Sequence, residues 1–391
     1  MLRQIEASEY RCLRSVRQPI GPFEILIGSN ASGKSTFLDV TRFLGTLVSE
    51  GLEAAVEQRT SNFHDLVWGR VGDSFELALE ASIPASRRVE DPVHLCLDTI
   101  RYEVVVRLDT LTEKLHITRE SATIFSCSGG MAQSGVEVMS RSDVFQFTNE
   151  LNRECYGSWE PPHRNYSGLN NLPSETQFPA TVWLRQFLRE GIMPVALDVR
   201  ELRKPSPPAT TRVGDLSGSY LARSVAQLRS GDSTQFQAWL AHVRTVLPDV
   251  KDIRTVVRDE DRHRYVVIDH ENGIAVPSWM ISDGTLRLLA LTLLAYMPDS
   301  DRVYLIEEPE NGVHPTALQA IYESLSSVYE GQVLIASHSP VLLSMAEPEQ
   351  LLCFVQTPKG TAIVRGSEHP ALKDWRGEIS LGVLAASGIL G

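Results

Sequence analysis

A chain of 391 residues exceeds the usual size of one domain, which predicts one large domain or two interlocked ones. Hydrophobic residues at 42% and charged residues at 22% are the proportions of a soluble globular protein with a core of normal size. The net charge of −12 weighs against a protein that coats nucleic acid electrostatically, because such proteins carry a basic excess.

The cysteines (Cys12, Cys96, Cys127, Cys155 and Cys353) are scattered, with no C-x-x-C pair. That argues against a zinc site or a disulfide scaffold and fits a reducing compartment. Met1 to Arg17 interleaves charged and apolar residues, unlike a signal peptide. No apolar run approaches the ~20 residues that span a bilayer. The chain therefore reads as cytoplasmic, with no membrane association.

In chain order, Ile5–Val16 mixes apolar and basic positions, and Phe23–Ile27 predicts a short buried strand. After Gly28–Ser35, the spacing of Phe37, Leu38, Val40, Phe43, Leu44 and Leu47 predicts a helix. Alternation predicts strands at Phe75–Ala81, Arg101–Leu108 and Lys114–Thr118, an antiparallel layer. Residues 126–180 are rich in Ser, Gly, Asn and Pro, including Trp159-Glu160-Pro161-Pro162, and show no sustained period. Trp183–Arg189 reads as a helix, Pro194–Val199 as a strand and Lys204–Thr211 as a break. Helices are expected near Ser219–Arg229 and Thr234–Val246. The final third predicts strands at Val250–Val257 and Arg264–Asp269, then a leucine-rich helix over Ser282–Tyr296. Strand Val303–Ile306, helix Pro315–Val328 and strand Gln332–Ala336 follow, an α/β core with a largely parallel sheet. The expected organisation is 1–125 as an N-lobe, 126–245 as an inserted loop-rich and helical subdomain, and 246–391 as a C-lobe.

Gly28-Ser29-Asn30-Ala31-Ser32-Gly33-Lys34-Ser35 matches G-x-x-x-x-G-K-[ST] at every position. The glycines let the backbone curl so that N–H groups face phosphate oxygens, and the helix that follows favours an anion at its start. Lys34 supplies a point charge for the β- and γ-phosphates, and Ser35 a hydroxyl for Mg²⁺. The bland alternative is a glycine turn that caps a helix.

Val303–Ile306 leads into Glu307-Glu308. Beside a phosphate loop, Glu307 suits the metal, and Glu308 suits the general base or water-positioning role. His338 follows the strand at Gln332–Ala336, at the end where parallel sheets bind ligands; a structural histidine is the competing reading. Ser282-Asp283-Gly284-Thr285 opens the leucine-rich helix. It reads as an N-cap or as a second phosphate-binding helix start.

These segments and their order resemble the ABC-type ATPase heads of the SMC, Rad50 and RecF proteins. They most resemble stand-alone bacterial ATPases of that group, several of which serve in anti-phage systems. The resemblance covers roughly residues 1–82 and 250–345. It implies Walker A at Gly28–Thr36, so that Asn30, Ala31, Ser32, Gly33, Lys34, Ser35 and Thr36 hold ATP. It implies the signature motif at Ser282–Thr285, Walker B at Val303–Glu308, the D-loop at Pro309–His314 and the switch histidine at His338. It further implies that two heads sandwich two ATP molecules, Ser282 and Gly284 of one touching the γ-phosphate held by Lys34 of the other. Walker B usually places Asp before the catalytic Glu; Glu307 departs from that. No Q-loop glutamine is placed; Gln58 is a candidate without local support.

Relatives in the overcoming-lysogenization-defect family carry a Toprim nuclease domain after the ATPase. Residues 339–391 hold no D-x-D pair and only scattered acids such as Glu368, Asp374 and Glu378. DNA cleavage would then need a separate effector protein. The apolar tail Trp375–Gly391 could dock such a partner or pack on its own domain. The expected function is an ATP-hydrolysing, Mg²⁺-dependent switch that forms a homodimer or higher homo-oligomer, in anti-phage defence or DNA maintenance. DNA or RNA is a candidate ligand. The alternatives are a transporter's nucleotide-binding subunit, which the 126–245 insertion and the signature sequence fit poorly, and a sensor glued by ATP with little turnover.

Overall fold

The computed structural model describes all residues except 91–95, 127–134, 143, 160–164, 173, 209–219, 298–300, 374, 376–379 and 391. The Glu160–Pro162 turn signal, Cys127, the start of the helix expected at Ser219, residues 209–211 of the predicted break, Asp374 and Glu378 lie outside the described residues.

The chain opens with strands β1 (Leu2–Tyr10), β2 (Leu13–Pro19) and β3 (Phe23–Gly28), then helices α1 (Lys34–Glu50) and α2 (Leu52–Glu57). Strands β4 (Ser74–Ser82), β5 (Val89–Glu90), β6 (Cys96–Leu97), β7 (Thr99–Asp109) and β8 (Lys114–Phe125) follow. Next come β9 (Val136–Arg141), β10 (Phe145–Thr148), β11 (Cys155–Trp159), α3 (Pro179–Gln186), β12 (Ile192–Val195) and α4 (Val199–Arg203). Helices α5 (Leu221–Gly231) and α6 (Ser233–Val246) precede β13 (Val250–Val257), β14 (Arg264–His270), β15 (Ala275–Pro277) and α7 (Asp283–Leu293). The remainder is β16 (Val303–Glu307), α8 (Pro315–Ser326), β17 (Gln332–Ala336), α9 (Pro340–Leu343), β18 (Leu351–Thr357), β19 (Gly360–Arg365) and α10 (Leu381–Ala386).

Two compact units result. One gathers residues 1–21, 30–192 and 354–363; the other gathers 22–29, 193–353 and 364–391. The 126–245 span is thus divided at residue 192 between them.

The first unit is built on an eight-stranded sheet in the order β11-β10-β9-β8-β7-β4-β1-β2, antiparallel wherever its pairing is resolved. Alternation in β4 and β7 buries Leu77, Leu79, Tyr102, Val104 and Val106 completely, as a half-buried sheet demands. Tyr10, Phe43, Phe63 and Phe75 meet edge-on, tilted or stacked with centroids 5.0–6.0 Å apart, an arrangement that satisfies aromatic quadrupoles.

The aperiodic 126–180 segment contributes three of the eight strands. Val138, Met139, Phe145 and Phe147 are buried on these short strands, and polar anchors hold the region as well. Glu120 is fully buried; it accepts from the Tyr102 hydroxyl at 2.7 Å, the Ser167 hydroxyl at 2.6 Å and the Gly168 amide at 2.9 Å. Arg141 on β9 lies 3.4 Å from the same carboxylate, so the buried charges compensate each other. Glu150 likewise accepts the Ala180 and Thr181 amides, each at 2.8 Å, and so caps α3 from a distance in sequence. Burial pushes the Glu150 carboxyl up, against the lowering effect of these hydrogen bonds.

In the second unit, β16 pairs parallel with β17, and β17 with β3. Ile25, Ile27, Ile306, Val333, Ile335, Leu288 and Ile321 form its apolar centre. A second cluster packs Trp239, Phe236, Val225 and Leu289 against Ile253 and Ile268 of the β13-β14-β15 sheet. The strand expected at 194–199 is corrected: the strand is Ile192–Val195, and Asp198 accepts the Arg200 amide at 2.8 Å to start α4. The described part of the tail packs on its own unit, with Leu381 and Leu390 buried in the core. A methyl group on Gly382 would overlap the Pro340 carbonyl oxygen, so α10 needs glycine to sit this close to α9.

Candidate functional site

The phosphate loop begins at the carboxyl end of β3 and ends at α1. Gly33 has φ 106° and stands at the N-cap, where no side chain caps the helix. A Cβ there would lie 2.9 Å from the Thr361 hydroxyl and 3.0 Å from the Cys12 sulfur, so both conformation and space demand glycine. Ala31 also takes a positive φ of 62°, a costly state for a residue with a Cβ. Two contacts distant in sequence hold the loop: Gln356 donates to the Ala31 carbonyl at 2.7 Å, and Thr361 to the Ser32 carbonyl at 2.9 Å. Nothing in the local pattern announced either residue.

This loop fits a phosphate. The first-turn N–H groups of any α-helix lack intrahelical acceptors, and α1 carries no acidic residue in that turn. Ser32, Gly33 and Lys34 are buried, with the Lys34 Nζ 3.5 Å from the Ser32 hydroxyl. Asn30, Ala31 and Ser35 are exposed and Thr36 is half-buried. Gln58 engages Glu50 at 3.0 Å on an exposed face, a contact that gives it no part in the loop.

The second unit brings Glu307, Glu308 and His338 to one edge of its parallel sheet. Glu307 ends β16 and stands in register with Ala336, which ends β17; Ala336 in turn pairs with Leu26 of β3. Glu308 turns sharply, with φ 50°, and its N–H donates to the Ala336 carbonyl at 2.8 Å. The Asn311 amide donates to the Glu308 carboxylate. The Glu307, Glu308 and His338 side chains are exposed, so His338 is not a satisfied core histidine. An exposed carboxylate such as Glu307 and an exposed hydroxyl such as Ser35 are each the hard oxygen donors that Mg²⁺ takes together with phosphate oxygens.

Ser282 caps α7: its hydroxyl accepts the Thr285 amide at 3.2 Å and donates to the Thr285 hydroxyl at 2.8 Å. Asp283 pairs with Arg203, whose guanidinium also donates to the Trp279 carbonyl at 2.9 Å. A Cβ at Gly284 would lie 2.9 Å from the Gly312 carbonyl oxygen, so the turn after β16 presses directly on the start of α7. The N-cap reading of this segment is the one the contacts carry. Ser282 and Asp283 remain exposed.

The fold is that of SMC head domains. The Smc head solved bound to the C-terminal winged-helix domain of ScpA is 12% identical with a TM-score of 0.54, over 93% of this chain and 96% of that one. The Smc head with an extended coiled coil, bound to the C-terminal domain of ScpA and derived from Pyrococcus furiosus, is 13% identical with a TM-score of 0.51, over 93% and 95%. At that identity the likeness speaks for the fold. A family model described as "AAA domain, putative AbiEii toxin, Type IV TA system" matches residues 156–344, a stretch that holds Ser282, Glu307, Glu308 and His338. No curated protein matches the chain in sequence.

Proposed function

We propose that this chain is an ATP-driven switch that binds Mg·ATP on the loop ending at Lys34 and hydrolyses it when a second copy closes over the nucleotide. The observation that carries this reading is the uncapped, acid-free start of α1 behind a glycine-strained loop; Glu307, Glu308 and His338, at strand ends of the parallel sheet, add to it. Bound Mg²⁺ would neutralise charge on the β- and γ-phosphates. Asn30–Thr36 would hold the phosphates, with Lys34 as the point charge. Ser35 and Glu307 would hold the metal, Glu308 would take a proton from water, and His338 would face the γ-phosphate. Ser282 and Gly284 would serve the copy opposite.

The cellular role we favour is anti-phage defence or DNA maintenance in the cytoplasm, with a separate effector protein. Two findings support a partner: the matched family is described by a toxin–antitoxin system, and both Smc heads were solved bound to part of ScpA. No helix among the described residues is long and apolar enough to cross a membrane.

Glu308→Gln is the deciding variant. It should bind ATP with native affinity while turnover falls by roughly 100-fold or more, as loss of a general base does. Size-exclusion chromatography with ATP should then show a trapped dimer. Ser282→Arg should abolish that dimer yet leave ATP binding to the single chain intact. Full turnover by either variant would refute the assignment.

A further inference from the structure

Glu310 lies three residues past the end of β16, in the segment that the resemblance makes the D-loop, and has so far been given no task of its own. Its Oε1 accepts two hydrogen bonds from the turn that carries the switch histidine: the Ser337 hydroxyl at 2.7 Å and the His338 backbone amide at 3.0 Å. Ser337 passes the constraint on, because its oxygen accepts the Ser339 amide at 3.0 Å, and Ser339 caps α9 through the Leu342 amide at 3.3 Å. The Glu310 Oε2 is buried without a hydrogen-bond partner among the described residues. A carboxylate oxygen left so is costly. A surface role would turn it to water.

The same turn has a second attachment. Through Gly312 it abuts Gly284 at the start of α7, and through the Glu308 amide it is tied to Ala336. A continuous run of contacts thus joins Ser282–Gly284 to His338, and within it Glu310 is the side chain that, among the described residues, reaches the His338 backbone.

We infer that Glu310 is a positioning residue: it fixes the backbone of His338 and transmits to it any shift of the turn that rests on Gly284. This inference rests on the functional reading above, in which His338 serves turnover. Glutamine at 310 keeps an oxygen that can accept both hydrogen bonds, whereas alanine keeps neither.

Two measurements test it. Amide hydrogen exchange on the full chain, without nucleotide, should show the His338 and Ser339 amides protected in the wild type and in Glu310→Gln but at least ten-fold faster in Glu310→Ala. ATP turnover should fall at least ten-fold in kcat for Glu310→Ala with KM unchanged, and Glu310→Gln should recover most of it. The Glu310→Ala/His338→Ala double variant should be no slower than His338→Ala alone, since a residue acting through another adds nothing once that other is gone. Unchanged exchange in Glu310→Ala, a rise in KM alone, or independent multiplying losses in the double variant would overturn the assignment while the ATPase reading stands. A fully active His338→Ala would instead remove the histidine's part in the reading itself, and this inference with it.

Discussion

Two helices of this protein begin in opposite ways. The start of α1 has a left-handed glycine, no side-chain cap and no acid in its first turn. The start of α7 has Ser282 as a working cap and Asp283 in its first turn, paired with Arg203. Positive charge gathers at every helix N-terminus, so the contrast lies in what answers it. In α7 the protein answers with its own oxygens. In α1 no side-chain oxygen answers it, as the proposed phosphate site requires, and Gly33, Gln356 and Thr361 hold the loop.

The contrast can be broken from either side. Lys34→Ala should cost the most, weakening ATP binding by roughly 100-fold or more because the phosphates lose their charge-assisted donor; equilibrium dialysis would measure it, and native affinity would undo the phosphate-loop assignment. Gly33→Ala should lower stability by about 1–3 kcal/mol, since alanine must hold φ 106° against the Thr361 hydroxyl. Thermal or urea unfolding reads that loss, and a neutral result would mean the loop relaxes freely. Ser282→Ala, which strips α7 of its cap and makes it resemble α1, should cost about 1 kcal/mol in the same unfolding assay. No loss at all would mean that Ser282 is kept for its ligand and contributes nothing to its own helix.

Legibility followed the range of the forces. The phosphate loop, the strand ending in Glu307 and the cap at Ser282 are local patterns, and each stands where its spacing placed it. Strands β9, β10 and β11 are too short for a sustained period: Val138, Met139, Phe145 and Phe147 are buried, but Glu120, Arg141 and Glu150 share the anchoring through polar contacts that leave no pattern. Gln356 and Thr361 could not be read because they reach the loop from 325 and 329 positions away. Glu310 was overlooked for a different reason: the two acids before it supplied a sufficient account of the strand end. Its signal was present, a third carboxylate in Glu-Glu-Pro-Glu just after an apolar strand.

The seat of α10 has a mechanical corollary. Gly382 is wedged against Pro340, two residues beyond His338, with no room for even a methyl group between them. A displacement of α10 therefore has to be taken up at Pro340, so the last described helix and the turn that carries His338 are mechanically joined.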